Sequence, residues 1–420
     1  MLTVYQPSSK ESFDDGGSFK LNCSATLMRR WYFTLMIVIS ILWIFVLSII
    51  ITNSTVKSVS RIQNPIVTKP WTLLSRNNAR LDRLFKKYHS LLNIEAFKTN
   101  HLSNKTIIYS CQSFCGGWGD RLRGIMSAYV LALLANRRFM IDMNYPCEIS
   151  KVVQPNYINW THIKYDKSKN RSQLNINTMR SWQTAYRGQI SDIIKSKNFV
   201  EVWSEYDDIS ISTNGDYMTP ALRNNYMKNR TRQLLGSMPL SHATMQTLFD
   251  LLFELLFKPS ALVRNRVDSI LANVYHRHLL CLHIRVGKNP TNPFDHAFTA
   301  RVNTTQAMID FTDDYILNKS LPVIFVTSDS GQAVSDVLQH YPNSSMTIVG
   351  PILHIDRFDR RSSTLCDGFI KAIADFYLLG ECQTSILSNS GFSSWANRRR
   401  EHPYQDFYSY NEKLRAIRKN

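Results

Sequence analysis

"TIIYSCQSFCGGWGDRLRGIMSAYVLALLANRRFMIDM", residues 106–143, packs three glycines into four positions between a short apolar run and a long helical pattern. Thr106 to Cys111 reads as a buried strand, "GGWGD" as a turn, and Arg121 to Arg137 as a helix. Leu122, Ile125, Met126, Tyr129, Val130, Leu133 and Leu134 repeat at the three- and four-residue spacing of one helical face. "RFMIDM" then returns as a strand. Strand, glycine turn, helix, strand is a βαβ unit, and it calls for a parallel sheet in an α/β fold. Glycines at such a turn either solve a tight bend or let the backbone come close to a ligand. The spacing is not the G-x-G-x-x-G of a dinucleotide site, and no acidic ribose ligand stands at the expected place.

The last third repeats the theme. "LLCLHIRVG" (279–287), "LPVIFVTSD" (321–329), "MTIVG" (346–350) and "TSILS" (384–388) are rich in Val, Ile and Leu and apolar on both faces, as strands of a parallel sheet are. Helical stretches separate them, the clearest at Ser330 to Tyr341 and Leu365 to Glu381. Two Rossmann-like, doubly wound domains follow from this pattern. Between them, residues 150–275 hold "FVEVWSEY", expected as a strand, and the helical run "HATMQTLFDLLFELLF".

The N-terminus sets the topology. Trp31 to Ile51 carries no charge and no proline, and 21 residues at 1.5 Å rise span roughly 31 Å, enough for a bilayer. A cleaved signal peptide would have a shorter apolar region nearer the start. Arg29 and Arg30 abut the span, whereas the first cations beyond it are Lys57 and Arg61, which favours a cytoplasmic N-terminus. Asn-x-Ser/Thr sites at Asn53, Asn104, Asn159, Asn170, Asn229, Asn303, Asn318 and Asn343 lie after the span, as do Cys111, Cys115, Cys147, Cys281, Cys366 and Cys382. Both sets suit an oxidising, glycosylating lumen; six cysteines allow 15 pairings, and the sequence chooses none. Expected segments are a cytoplasmic tail (1–30), a transmembrane helix (31–52), a stem (53–103) with a helical stretch at 77–97, an N-terminal α/β domain (104–275) and a C-terminal α/β domain (276–420).

A net charge of +18 raises nucleic acid as a partner, but the expected topology argues against it. The excess then reads as solvated surface with some cations directed at an anionic substrate. The run Arg398 to Arg400 reads as an exposed helical segment. His276 and His278 lack metal-ligand spacing with cysteines, and no Asp-x-Asp metal motif occurs, the nearest being Glu205 to Asp207 in a solvated acidic loop.

In open α/β sheets ligands bind beyond the carboxyl ends of the strands. There the chain places "HIRVGKNP" (283–290), "TSDS" with Asp329 at its tip, and "SNSGFSSWANRRR" (388–400). A His-x-Arg pair at a strand end shares one face, and the planar Arg fork grips two diphosphate oxygens. Small hydroxyl residues and a glycine at a helix start offer N–H groups to a phosphate.

In this order the segments resemble the fucosyltransferase superfamily that contains α1,2-, α1,6- and protein O-fucosyltransferases. "HIRVG" resembles its His-x-Arg motif, "FVTSDS" its Ser-Asp motif and "GGWGDRLRGIMSAYVLALL" its Gly-Gly-x-Gly element. "SNSGFSSWA" is similar to the Ser-Asn-Ser-x-Phe-Ser-x-Trp-Ala segment of the α1,2 class. The resemblance spans roughly residues 106–400. It implies a GT-B-like fold and a metal-independent, inverting enzyme of the Golgi membrane, type II in topology, that moves fucose from GDP-fucose to a glycan or glycoprotein acceptor. GDP-fucose is the donor substrate, and no cofactor or metal is implied. It further implies that Arg285 neutralises the leaving diphosphate and that His283 and Asp329 hold the nucleotide. Ser390, Phe392 and Ser393 would line its phosphate side, with Gly116, Gly117, Gly119 and Arg121 across the cleft.

Fucosyl transfer also asks for a general base to take the acceptor proton. Relatives often carry Arg-Arg-x-Asp after the histidine, whereas this chain has "RVGKNP", with Val286 and Lys288 in those places. Asp295 is the nearest carboxylate and His296 the nearest imidazole. Without a base the chain would be a GT-B-like lumenal protein that binds a glycan or nucleotide and turns nothing over.

Overall fold

The glycine turn and the long helix form as expected, with the helix starting earlier. In the computed structural model, which describes residues 72–100, 103–161, 171–179, 184–274, 276–287, 289, 303–317, 321–359, 361–411 and 416–419, α1 (Leu73–Tyr88) and the short α2 (Ile94–Phe97) precede the βαβ unit. That unit is β1 (Thr106–Cys111), α3 (Trp118–Ala135) and β2 (Arg138–Met143), with β1 and β2 parallel from Thr106–Arg138 to Cys111–Met143. Helix α3 begins at Trp118 because extended Gly117 takes the N-cap place, and Asn136 ends it in the left-handed conformation.

The middle region continues with β3 (Val153–Pro155), β4 (Gln173–Asn177), α4 (Thr184–Ser196), α5 (Phe199–Val202), β5 (Asp208–Ser212), α6 (Met218–Leu222), α7 (Lys228–Leu235), α8 (Met245–Leu256), β6 (Phe257–Pro259) and α9 (Ala261–Val274). "FVEVWSEY" is therefore a helical turn and not a strand. Phe199 and Trp203, four residues apart, pack with tilted rings whose centroids lie 5.2 Å apart, and both are buried.

The last third comprises β7 (Leu279–Ile284), α10 (Thr304–Ile316), β8 (Val323–Ser328), α11 (Gly331–His340), β9 (Ser345–Met346), α12 (Leu365–Leu379), β10 (Thr384–Leu387), α13 (Gly391–Arg398), β11 (Phe407–Asn411) and β12 (Ala416–Lys419). "MTIVG" contributes only Met346 to a strand. Strand order is β2-β1-β5-β4 in one sheet, all parallel, and β12-β11-β10-β7-β8-β9 in the other, parallel except for β12.

β3 and β6 pair separately as an antiparallel ladder, and each of the two larger sheets has a switch point where successive connections run to opposite sides: between β1 and β5 in the first, between β7 and β10 in the second. A crevice opens beyond the strand ends at such points. The glycine turn leaves β1, "HIR" ends β7 and "SNSG" leaves β10, so these three segments arrive at switch points, while "TSDS" ends β8, the neighbour of β7.

The chain divides into two units, Met1–Pro70 and Trp71–Asn420, and all the described residues belong to the second. Among the described residues no helix is long and apolar enough to cross a membrane; the expected span, residues 31–52, lies outside them. Helix α1, expected within the stem, belongs to the second unit and buries Leu73, Leu81, Leu84 and Tyr88. Three disulfides form: Cys111–Cys115, Cys147–Cys366 and Cys281–Cys382. Cys366 and Cys382, at the two ends of one helical segment, thus pair with other partners.

Candidate functional site

A cavity of about 320 Å³ opens where the two switch points face each other. Its walls come from the start of α3, the ends of β7 and β8, the segment Pro351–Ile355, α12 and the start of α13.

Arg285 follows β7 directly. Its backbone N–H donates to Ser388 Oγ at 2.6 Å, and that hydroxyl donates to the His283 carbonyl at 2.9 Å, so β10 fixes the strand end from which the guanidinium extends. The guanidinium contacts the Asp329 carboxylate. Asp329, at the tip of β8, also accepts the N–H groups of Val286 (3.0 Å) and Gly287 (2.9 Å), the latter at φ +84°. Asp329 is thus a clamp on the loop after β7, holding backbone and guanidinium together. His283 is buried and stacks on Phe392, centroids 5.6 Å apart.

Opposite β7, α13 starts at Gly391 with Ser390 as its cap, its hydroxyl accepting the Phe392 N–H at 3.3 Å. The start of α3 lies against it. A Cβ on Gly119 would stand 2.7 Å from the Gly391 carbonyl and 2.9 Å from the Trp395 ring, so the space is taken by helix α13 and not reserved for a ligand. Two helix N-termini therefore meet at one cavity, each presenting N–H groups and the positive end of its dipole, a setting that favours an anion. Trp118 seals the base of this junction against Phe369 and Phe376 of α12 (6.0 and 6.3 Å).

Of the residues singled out by sequence, Gly117, Gly119, His283, Arg285, Asp329, Ser390 and Phe392 line the cavity together. Gly116, Ser393 and Arg121 stand behind it. Gly116 makes the bend at φ +80°. Ser393 is buried and its hydroxyl points back at the Ser388 and Ser390 carbonyls. Arg121 is fully buried, donating to the carbonyls of Gly116 (2.9 Å), Tyr145 and Ile355 (2.8 Å). Its part is to tie the glycine turn to the cavity-lining segment 351–355, because those donors have no reach left for a ligand. Asp295 and His296 lie outside the described residues.

The cavity also holds residues that the sequence reading passed over. Lys371 and Asp375 of α12 form a buried ion pair at 2.7 Å, and Asp375 accepts from Thr327 at 2.8 Å. Burial pushes the Asp375 carboxyl up from its ordinary range, although Lys371 and Thr327 pull it down. Its other oxygen, Oδ1, is buried with no hydrogen-bond partner among the described residues. A charged pair four residues apart inside the apolar run "LCDGFIKAIADFYLL" was the available signal. Asp120, in the first turn of α3, also lines the cavity.

No protein-family model matches the chain, and no curated protein sequence does. Among solved structures, the fold is similar to that of FUT1 of Arabidopsis thaliana, solved as a mutant in complex with GDP. That pair is 14% identical with a TM-score of 0.50, over 83% of this chain and 81% of that one. More distant are NodZ α-1,6-fucosyltransferase soaked with GDP-fucose (15% identity, TM-score 0.45, 76% of this chain and 100% of that one) and POFUT1 in complex with GDP-fucose (10%, 0.40, 73% and 97%).

Proposed function

We propose that the chain is a fucosyltransferase that uses GDP-fucose as donor and a glycan or glycoprotein as acceptor. The observation that carries this reading is Arg285, fixed by Asp329 and Ser388 at a switch point and facing two converging helix N-termini. One arginine and two sets of helix-terminal N–H groups suit a diphosphate, and the GDP in the FUT1 structure of similar fold agrees with that chemistry. The α1,2-like motif "SNSGFSSWA" favours that linkage class.

In this reading the donor lies against the second sheet (276–420) and the acceptor approaches from the first (104–275). Transfer with inversion builds positive charge on the sugar and negative charge on the leaving diphosphate. Arg285, preorganised by Asp329, meets the second of these, as a fixed charge stabiliser does, and no metal is required for that role. The apolar run at 31–52, the glycosylation sites beyond it and the three disulfides support a type II Golgi membrane protein with the catalytic part in the lumen.

The test is GDP release from GDP-fucose by the full-length chain in detergent with EDTA, given a mixed pool of glycan acceptors, beside Arg285→Ala. Acceptor-dependent release that Arg285→Ala lowers by 10² or more, the scale for one preorganised charge stabiliser, is the expected result. GDP binding with no release under any acceptor would instead establish a binding module.

A further inference from the structure

Asp120, in the first turn of α3, lines the cavity and has no role yet assigned. Among the described residues three carboxylates line the cavity: Asp120, Asp329 and Asp375. Asp329 uses both oxygens on the amides of Val286 and Gly287 and meets Arg285 as well. Asp375 is 4% exposed and paired with Lys371. Asp120 differs from both. Its side chain is 39% exposed, its partner Arg123 engages only Oδ1, and Oδ2 lies beside the bare Cα of Gly116, where a Cβ would stand 3.0 Å away.

The two imidazoles in the wall are poorer candidates. His283 is buried against Phe392 on the side of the second sheet. His354 accepts the Asp356 N–H on Nδ1 at 3.3 Å, so that ring nitrogen is already engaged with its own loop.

Position makes the same distinction. Asp120 comes from the wall carried by the first sheet, while Arg285 comes from the wall carried by the second. An inverting displacement needs its base on the face of the sugar opposite the leaving group. The charged and titratable groups around Asp120 are Arg121 and Arg123 on its own helix and Tyr109 of β1, with Arg285, Lys371 and His354 also in the cavity wall.

We propose that Asp120 is the general base of the transfer, a catalytic residue that receives the proton of the acceptor hydroxyl; this rests on the fucosyl-transfer reading above. The acceptor oxygen forms a bond to the anomeric carbon of fucose. The bond from that carbon to the β-phosphate oxygen breaks, and its electron pair leaves on GDP beside Arg285. The hydroxyl proton passes to the Asp120 carboxylate and then to solvent, so that GDP-fucose and acceptor become fucosylated acceptor, GDP and one released proton.

The test compares the full-length wild type with Asp120→Asn, Asp120→Glu and Asp295→Asn, measuring fucose transfer across pH and GDP affinity separately. Asp120→Asn is expected to lower kcat by 10²- to 10⁴-fold, the range for a positioned acid or base, with GDP affinity within twofold. It should also abolish the acid limb of the kcat profile, which Asp120→Glu partly restores. Near wild-type kcat in Asp120→Asn overturns the proposal, and so does loss of the acid limb in Asp295→Asn alone. Loss of GDP binding in Asp120→Asn would make the residue structural and overturn it too. A wild type that binds GDP but transfers no fucose defeats the underlying reading of the reaction rather than the choice of base.

Discussion

Arg285 acts through the residues that hold it. Its guanidinium, its own N–H and the next two backbone N–H groups are all anchored, by Asp329 and by Ser388. A preorganised charge works at the barrier because no reorganisation is needed when the leaving group departs. Asp329→Ala leaves the amides of Val286 and Gly287 without their carboxylate acceptor and removes the carboxylate that meets the arginine. An orphaned donor costs roughly 1–3 kcal/mol when fully buried, an upper bound for these part-buried amides. We expect a lower thermal midpoint and GDP affinity weakened at least tenfold, read by thermal unfolding and by GDP titration. A variant with wild-type affinity would contradict the clamp. The sequence placed Asp329 at the right strand end but could not show which way its carboxylate turns, since "TSDS" reads the same for a ligand contact and for a loop anchor. Arg121, expected across the cleft beside the donor, instead has its guanidinium taken up by three carbonyls in the interior, a set of partners that no local sequence pattern announces.

Between elements, the decisive contact is α3 on α13. Gly119 allows the two helices to touch backbone to backbone, which brings both N-termini to one cavity. Gly119→Ala puts a methyl group 2.7 Å from the Gly391 carbonyl, and overpacking of this kind costs typically 1–3 kcal/mol. The helix ends must part, so both the thermal midpoint and GDP affinity are expected to fall together; an unchanged midpoint would mean that the junction is looser than described. Strands with apolar side chains on both faces, such as "LLCLHI" and "VIFVTS", were legible because burial on both sides leaves a continuous apolar run. Strands β4, "QLNIN", and β5, "DISIS", were not. In β4, at the edge of its sheet, only Ile176 is buried, and so short and polar a run is hard to tell from a loop. "FVEVWSEY" erred the other way, since its β-branched and aromatic residues suit a strand, but Phe199 and Trp203 pack at helical spacing.

Across the whole molecule, charges and disulfides bind distant parts of the chain. Arg80 of α1 pairs with Glu381 and reaches Glu254 of α8, while Arg399, at the end of α13, pairs with the same Glu254 at 2.9 Å and stacks on Phe253 and Tyr377. Arg80, Glu254, Glu381 and Arg399 are all buried. None of this was legible, because a cation in a polar stretch or in the run Arg398 to Arg400 reads as solvated until its partners, far away in sequence, are known. The Cys147–Cys366 bridge spans 219 residues and ties the end of the first βαβ unit to the start of α12, which lines the cavity. The two sheets thus face each other across a site whose walls are fixed from several directions. The measurement that tests this account most directly is GDP affinity in the full-length wild type, Arg285→Ala and Arg285→Lys, by titration calorimetry. We predict tight binding by the wild type, loss of tenfold or more with alanine and incomplete recovery with lysine, whose point charge cannot reproduce the bidentate fork. Equal affinity in all three would place the diphosphate elsewhere and contradict the central claim.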